Sequence, residues 1–375
     1  MRPYLSSDLK SLNRQTVFDI LCDMGQVSKS DIARISHISA PTVMKIIDFF
    51  IEKEMIREVG EGVSALGRKP QLIELNPNRY YAIGAIHEGD TLKVGLVNLL
   101  GDLKALRKIR INQSFFNTVD IALPVMIENL LADMNVNSAD ILGIGIGIPG
   151  IYDVENSEII AAPLIGIYDS VNILENIRQL SKKHGIPVVV DNDLNLEVIG
   201  EFKKLNLSKN DDLLYLSLGT GFGAGVILNG QLRRGSRYMC GEIGYMTFSD
   251  AYKVSSHSAG WLESKINLSF LQQKFGFTDE TPLSEALTAE VCEYVKTPFA
   301  LAVNNLLTCL DCSNVSVGGG VFDLFGDALF EAIRQKVSEL CISQINLTRQ
   351  VCEEPGIIGA AEMVSDLSLQ KFWSE

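Results

Sequence analysis

The sequence has no apolar run approaching the roughly 20 residues that span a bilayer, so no contact with membrane is expected. It also lacks the apolar core and small-residue cleavage site of a signal peptide. Its opening, MRPYLSSDLKSLNRQ, is polar, and the expected compartment is the cytoplasm. Cysteine is sparse: seven, an odd number scattered over 375 residues, which fits unpaired thiols in a reducing compartment. Basic charge is in deficit, with 33 Lys and Arg against 46 Asp and Glu. A net charge of −13 argues against a protein coated in nucleic acid. With 46% hydrophobic and 21% charged residues, disorder, collagen and disulfide scaffolds find no support. What remains is a globular chain long enough for two or three domains of roughly 150 residues, each with a real core.

The charge is uneven. Residues 1–80 hold 11 basic and 10 acidic side chains, and the rest holds 22 and 36. A near-neutral head on an acidic body can still touch phosphate locally, because contacts act over a Debye length of about 8–10 Å. In the head, Leu12, Val17, Ile20, Leu21 and Met24 recur at helical spacing over 11–24, and Gly25 is a stop. Ser28-Lys29-Ser30-Asp31 opens a short second helix. Ser39 is placed to cap a third, PTVMKIIDFFIEKEM, with Pro41 in its tolerant first turn. Two helices joined by a tight turn predict a helix-turn-helix whose second helix presents Pro41, Thr42 and Lys45 to a major groove. Strand-like runs at 56–59 and 71–75 flank a Gly-rich tip and predict a wing, with Arg68-Lys69-Pro70 at its return. An Arg on such a tip suits a narrow minor groove. A small helical docking module with a hairpin is the plain alternative.

From Tyr80 the pattern becomes α/β. Residues 80–111 read as three strands and 120–134 as a helix. Residues 141–150, ILGIGIGIPG, read as a strand entering a Gly/Pro turn, and 171–184 as a helix. Residues 186–190 read as a strand buried on both faces, ending in Asp191-Asn192-Asp193. Ligands of open α/β sheets sit just past the carboxyl ends of such strands. LLYLSLGTGFGAGVILNGQL (213–232) reads as strand, glycine turn and strand. Its alternating glycines would let backbone N–H groups approach an anion. No helix follows directly, so neither a P-loop nor a dinucleotide fingerprint fits. Val315 to Gly320 is a third strand-to-glycine turn. Cys309-x-x-Cys312 lacks a second pair and is expected to be core.

Nine motifs stand in a fixed order: NRQTVFDIL, the SxPTV helix, GRKPQLIELNP, GIGIGIPG, VDND, LGTGFGAGV, GEIG, SVGGG and GIIGAA. Together they resemble the ROK family of repressors, open reading frames and sugar kinases, over nearly the whole chain. The resemblance implies an actin-like, sugar-kinase fold of two α/β lobes with ligand between them, and an N-terminal winged helix-turn-helix. The expected boundaries are 1–76 for the winged helix, 77–192 for the first lobe, completed by a terminal helix at 356–375, and 193–355 for the second lobe.

The resemblance also assigns roles. Asp193, beside Asn192, matches the family's general base, which takes a proton from a sugar hydroxyl. Glu242 and Glu263 match its sugar-hydroxyl contacts, where a carboxylate accepts charge-assisted bonds. Other positions depart from the pattern. Ile86 stands where the first phosphate motif has an aspartate, and Glu88 and Asp90 stand at its Gly and Thr places. Acids there repel a triphosphate, and an isoleucine cannot hold magnesium. The second phosphate turn, with Thr220, Gly221 and Gly223, is intact, though its glycines suit a hairpin equally well. Tyr245 replaces the family's zinc histidine, and Val254, Ser256 and Trp261 replace its cysteines. His257 and Cys240 are too few to complete a site, so no metal and no cofactor are expected. Tyr245 can still offer one hydrogen bond and a stacking face to sugar. The expectation is therefore a repressor of operator DNA, forming a homodimer or tetramer, whose body binds a sugar or sugar derivative without phosphorylating it. An active kinase with a head, and a constitutive DNA-binding protein with a structural body, are the alternatives.

Overall fold

The computed structural model describes residues 6–61, 71–88, 90–111, 115–250, 260–278 and 282–374. Helix α1 (Ser6–Met24) begins five residues before its apolar pattern does. The extra turn carries Leu9, an exposed residue like Leu12 beyond it, so no buried periodicity announces it. Strand β1 (Val27–Ser28) leads into α2 (Lys29–Ser36), where the Ser28 hydroxyl accepts from the Asp31 N–H at 3.1 Å. Helix α3 (Ala40–Glu52) starts at Ser39 as expected, but Ser39 is not a side-chain cap. Its hydroxyl pairs instead with Thr42 Oγ1 at 2.8 Å, and the first-turn N–H groups of Thr42 and Val43 go to the Ser39 carbonyl. Strands β2 (Ile56–Glu61) and β3 (Gln71–Leu75) form the antiparallel wing, with β1 on the free edge of β3. Arg68 and Lys69, expected at the return of the wing, lie outside the described residues. Val17, Leu21, Ile32, Val43, Ile47, Phe50 and Ile73 fill the head's core.

Strands β4 (Tyr81–Glu88), β5 (Thr91–Asn98) and β6 (Leu103–Arg110) form an antiparallel meander. Next come α4 (Phe115–Asn117), a π-turn at Thr118–Ala122, and α5 (Leu123–Met134). By length and composition this run could cross a bilayer, which the sequence reading did not expect. Here Phe115, Leu123, Met126, Ile127 and Leu130 are buried on the sheet, the place of a core helix. Strands β7 (Ile141–Ile148), β8 (Ile151–Asp153), β9 (Glu158–Ala161) and β10 (Val171–Asn172), helix α6 (Leu174–His184) and β11 (Val188–Asn192) complete the unit. The sheet order is β11-β7-β4-β5-β6, with β4, β7 and β11 parallel. Strand β7 lies between β11 and β4 and is buried along all eight residues. Strand β11 is not buried on both faces as predicted. It is an edge strand, which leaves Val188 and Val189 half-buried.

Helix α7 (Asp193–Lys204) carries the chain to a second sheet. Its strands are β12 (Leu213–Leu218), β13 (Phe222–Leu228), β14 (Gln231–Leu232), β15 (Asn314–Gly318) and β16 (Asn346–Arg349), in the order β14-β13-β12-β15-β16. Short helices α8 (Glu263–Ile266) and α9 (Leu268–Phe275) precede the long α10 (Glu285–Leu310), and α11 (Gly320–Leu340) follows β15. Phe299 of α10 and Phe322 of α11 pack edge to face over one side of this sheet. Helix α10 ends at Leu310, so Cys309 is exposed rather than core, and only Cys312 turns inward to the Asn314 carbonyl.

The last helix, α12 (Pro355–Ser374), returns to the first sheet and lies beside α7. The two helices touch backbone to backbone: a methyl group on Gly359 would overlap the Leu196 carbonyl, and one on Gly200 the Pro355 carbonyl. The far end of α12 enters the head. The Trp373 ring lies 5.2 Å from Phe18 and 5.6 Å from Phe50, and the Arg14 guanidinium donates to the Trp373 carbonyl at 3.0 Å. Leu369 and Trp373 thus share one core with α1 and α3.

Candidate functional site

The end of β11 and the start of α7 form one wall of the cleft between the sheets. Asn192 is the N-cap of α7: its Oδ1 accepts from the Asn195 N–H at 3.0 Å. Its Nδ2 donates to the Gly150 carbonyl at 2.8 Å and to Asp193 Oδ1 at 3.1 Å. Both amide hydrogens are therefore committed, and only an acceptor lone pair is left for a ligand. Asp193 Oδ1 also takes the Leu194 N–H at 2.9 Å. Burial, and then the charge of Glu242, push the Asp193 carboxyl up to about 7.

The opposite wall comes from the loop after β14 and from α8. Ala224 of β13 donates to the Gly241 carbonyl at 2.8 Å, which fixes the approach to Glu242. Burial, and then Glu263, raise the Glu242 carboxyl to about 7. Glu263 opens α8, accepts from the Phe222 N–H at 2.9 Å, and is likewise raised by burial. Glu242 thus links the set: its charge raises Asp193, and the charge of Glu263 raises Glu242. Tyr245 closes the short turn Ile243–Tyr245 and is half-buried. Such a set of partly desolvated carboxylates can accept paired hydroxyls from a polyol, each bond charge-assisted when its acceptor is ionised.

Two features of this site were not read from the sequence. Asp191, 1% exposed, accepts from Arg234 Nε at 2.7 Å and from Asn195 Nδ2 at 2.8 Å. Arg234 follows β14 of the second sheet, so this ion pair ties the two sheets together directly behind Asn192. A buried aspartate requires such a partner, but the 43-residue separation hides which arginine supplies it. Glu197, one turn along α7 from Asp193, is raised well above its ordinary value by burial and then by Asp193. The Tyr215 hydroxyl beside it donates to Gln350 Oε1 at 2.5 Å. The four-residue spacing from Asp193 could have signalled this neighbour.

On the phosphate side of the cleft, Ile86 is buried against Leu196 and Ile357 in the apolar seam between α7 and α12. Glu88 pairs with Lys93 at 2.6 Å, and Lys93 also reaches Glu354 at 3.2 Å. Asp90 is exposed. In the second phosphate turn Thr220 is exposed and Gly221 and Gly223 are half-buried. A methyl on Gly225 would overlap the Leu194 carbonyl, so that glycine is required by the seating of α7 on β13. Zinc does not fit these residues: Tyr245 and Trp261 cannot supply the nitrogen and thiolates needed, and Trp261 is packed against Phe248. Positions 254, 256 and 257 lie outside the described residues. In the head, Pro41, Met44, Lys45 and Asp48 are exposed along one face of α3, and Thr42 is half-buried with its hydroxyl on Ser39.

Two α/β units with carboxylates between them, joined to a winged helix-turn-helix, define a two-lobed fold of the sugar-kinase class with an added head. Residues 87–259 match the sequence profile of the ROK family. The xylose repressor of Caldicellulosiruptor bescii is 29% identical over 243 residues, covering 64% of this chain and 60% of that protein. The xylose repressor of Bacillus subtilis strain 168 is 28% identical over 242 residues, covering 64% and 61%. The chain therefore spans about three fifths of the length of these relatives. Among solved structures, a ROK family transcriptional regulator described as a homolog of the E. coli MLC protein superposes over 98% of this chain and 99% of its own. The TM-score is 0.77 at 19% identity. A ROK family glucokinase from Streptomyces griseus, in complex with glucose and AMPPNP, superposes over 76% of this chain and 98% of its own, with a TM-score of 0.62 at 22% identity.

Proposed function

We propose that the protein is a sugar-responsive transcriptional repressor whose kinase-like body binds a sugar and does not phosphorylate it. Helix α12 carries this reading: one end lies on α7, which begins at Asp193, and the other is built into the core of the head. A sugar that favours one arrangement of the two sheets shifts α7, and α12 passes the shift to the head. The protein acts as a homodimer, because two heads must match two half-sites one or more helical turns apart. The names of the xylose repressors agree with a sugar-responsive repressor and make a pentose the first effector to try. The expected boundaries between winged helix and lobes, at 76/77 and 192/193, remain part of the proposal.

Phosphoryl transfer is disfavoured by Ile86 and by the acids at Glu88 and Asp90, which repel a nucleotide's phosphates. Asp193 and the Thr220–Gly225 turn favour the kinase reading. The test is incubation with xylose, glucose and other sugars with Mg-ATP. Sugar-dependent ADP release at enzymatic rates would establish a kinase; sugar binding without it supports the repressor.

Effector affinity is expected to depend on pH. Asp193 and Glu242 have folded values near 7, above their ordinary ones. They hold a proton in the free protein below that pH, and the ionised acceptor that sugar hydroxyls prefer is recovered as pH rises through 7. The same sign makes the free protein lose folding stability as pH rises from about 4 to about 7. Calorimetric titration should show binding about tenfold weaker at pH 5.5 than at pH 8.5. A flat profile contradicts the assignment of these carboxylates.

Lys45 is exposed near the start of α3. Lys45→Ala is expected to weaken operator binding and, at a phosphate contact, to reduce the slope of log affinity against log salt by about one. Arg68→Ala should weaken it most on A·T-rich flanks. Unchanged affinity in both variants would contradict the groove assignment.

A further inference from the structure

Met44 is exposed on α3, with 54% of its surface in solvent, while Val43, Ile46, Ile47 and Phe50 on the opposite face are buried. It contributes nothing to the head's core. Pro41, Met44, Lys45 and Asp48 form one stripe at helical spacing, on the outer face of the second helix of the helix-turn-helix. Thr42 is the other side chain on that first stretch, and its hydroxyl is turned back on Ser39. The forward part of the stripe therefore offers one long, flexible apolar side chain beside one ammonium group.

Resting on the DNA-binding reading above, we propose that Met44 reads sequence by seating its thioether side chain against the 5-methyl group of a thymine in the major groove. Thymine alone among the four bases presents a methyl there, and an apolar side chain is the group that recognises it. Methionine is unbranched and polarizable and fits such a surface without a fixed rotamer. Lys45, the next residue, supplies the charge that holds the helix on the duplex. The occupant of this apolar spot is therefore DNA rather than a protein: it adjoins a cation and lies on the helix that enters the groove.

The test uses the full-length protein and duplexes enriched by it from a random pool. Each thymine of the enriched duplex is replaced in turn by deoxyuridine, which removes only the methyl. At one position per half-site the replacement should weaken wild-type binding about three- to tenfold. Met44→Ala should lose a similar factor on the thymine duplex and become indifferent to the replacement, with its helix content unchanged. The proposal is overturned if wild type is indifferent at every thymine. It is also overturned if Met44→Ala still discriminates, or if Met44→Ala changes self-association instead of binding. Failure to enrich any duplex overturns the DNA-binding reading itself, and the proposal with it. The two failures are thus distinguishable.

Discussion

Trp373→Ala is expected to separate sensing from response. The indole is buried between Phe18 and Phe50, at the point where α12 ends inside the head. Removing a buried aromatic of this size costs about 3–5 kcal/mol. The loss falls on the seam between α12 and the helices of the head, which meets the first sheet at Leu142 of β7 but lies away from the carboxylates. The body should therefore keep its fold and its sugar affinity. The head should melt as a separate transition at lower temperature, and bound sugar should no longer alter DNA affinity. Trp373→Phe keeps most of the packing and should restore part of the coupling. Calorimetry with and without sugar, paired with DNA titrations, reads all of these effects. A variant that still transmits the sugar signal at wild-type strength would remove α12 from the mechanism.

The second large effect concerns the cleft. Asp193→Ala, Glu242→Ala and Glu263→Ala should each remove hydrogen bonds from sugar hydroxyls to charged acceptors. The cost is about 1.5–3 kcal/mol, roughly ten- to a hundredfold in effector affinity. DNA affinity without sugar should hold, because none of the three touches the head. Asp193→Ala and Glu242→Ala also relieve like-charge repulsion and burial, and Glu242→Ala should fold at least as well as wild type. Against that gain, Asp193→Ala loses the acceptor of the Leu194 N–H and Asn192 Nδ2, and Glu263→Ala loses that of the Phe222 N–H. Coincident DNA-release curves for wild type and all three variants, with wild type responding, would put the effector elsewhere.

The order of elements was legible in the sequence because each carries a local signal. The helices of the head show an apolar face every three or four residues, and the strands of the body end in glycine turns or polar triplets. Asn192, Asp193, Glu242 and Glu263 were legible as a set only through the resemblance, since nothing local links residues 70 positions apart. Tertiary features were hidden. The two-residue strand β1 is too short for a pattern, and the exposed first turn of α1 has no buried face. The Asp191–Arg234 tie depends on which arginine the fold delivers. The apolar run of β11 looked buried on both faces, yet sheet order made it an edge. The role of Trp373 was the least visible: an aromatic near the end of a helix gives no sign that its partners lie in the first fifty residues.

The central claim is that sugar in the cleft changes DNA binding at the head without chemistry. It is tested most directly by titrating a protein–DNA complex, formed on an enriched duplex, with sugars in the absence of any nucleotide while following fluorescence anisotropy. A shift in DNA affinity of fivefold or more with at least one sugar, unchanged when Mg-ATP is added and abolished in Trp373→Ala, is the expected result. A response that requires ATP and consumes it, or no response to any sugar the body demonstrably binds, would contradict the account.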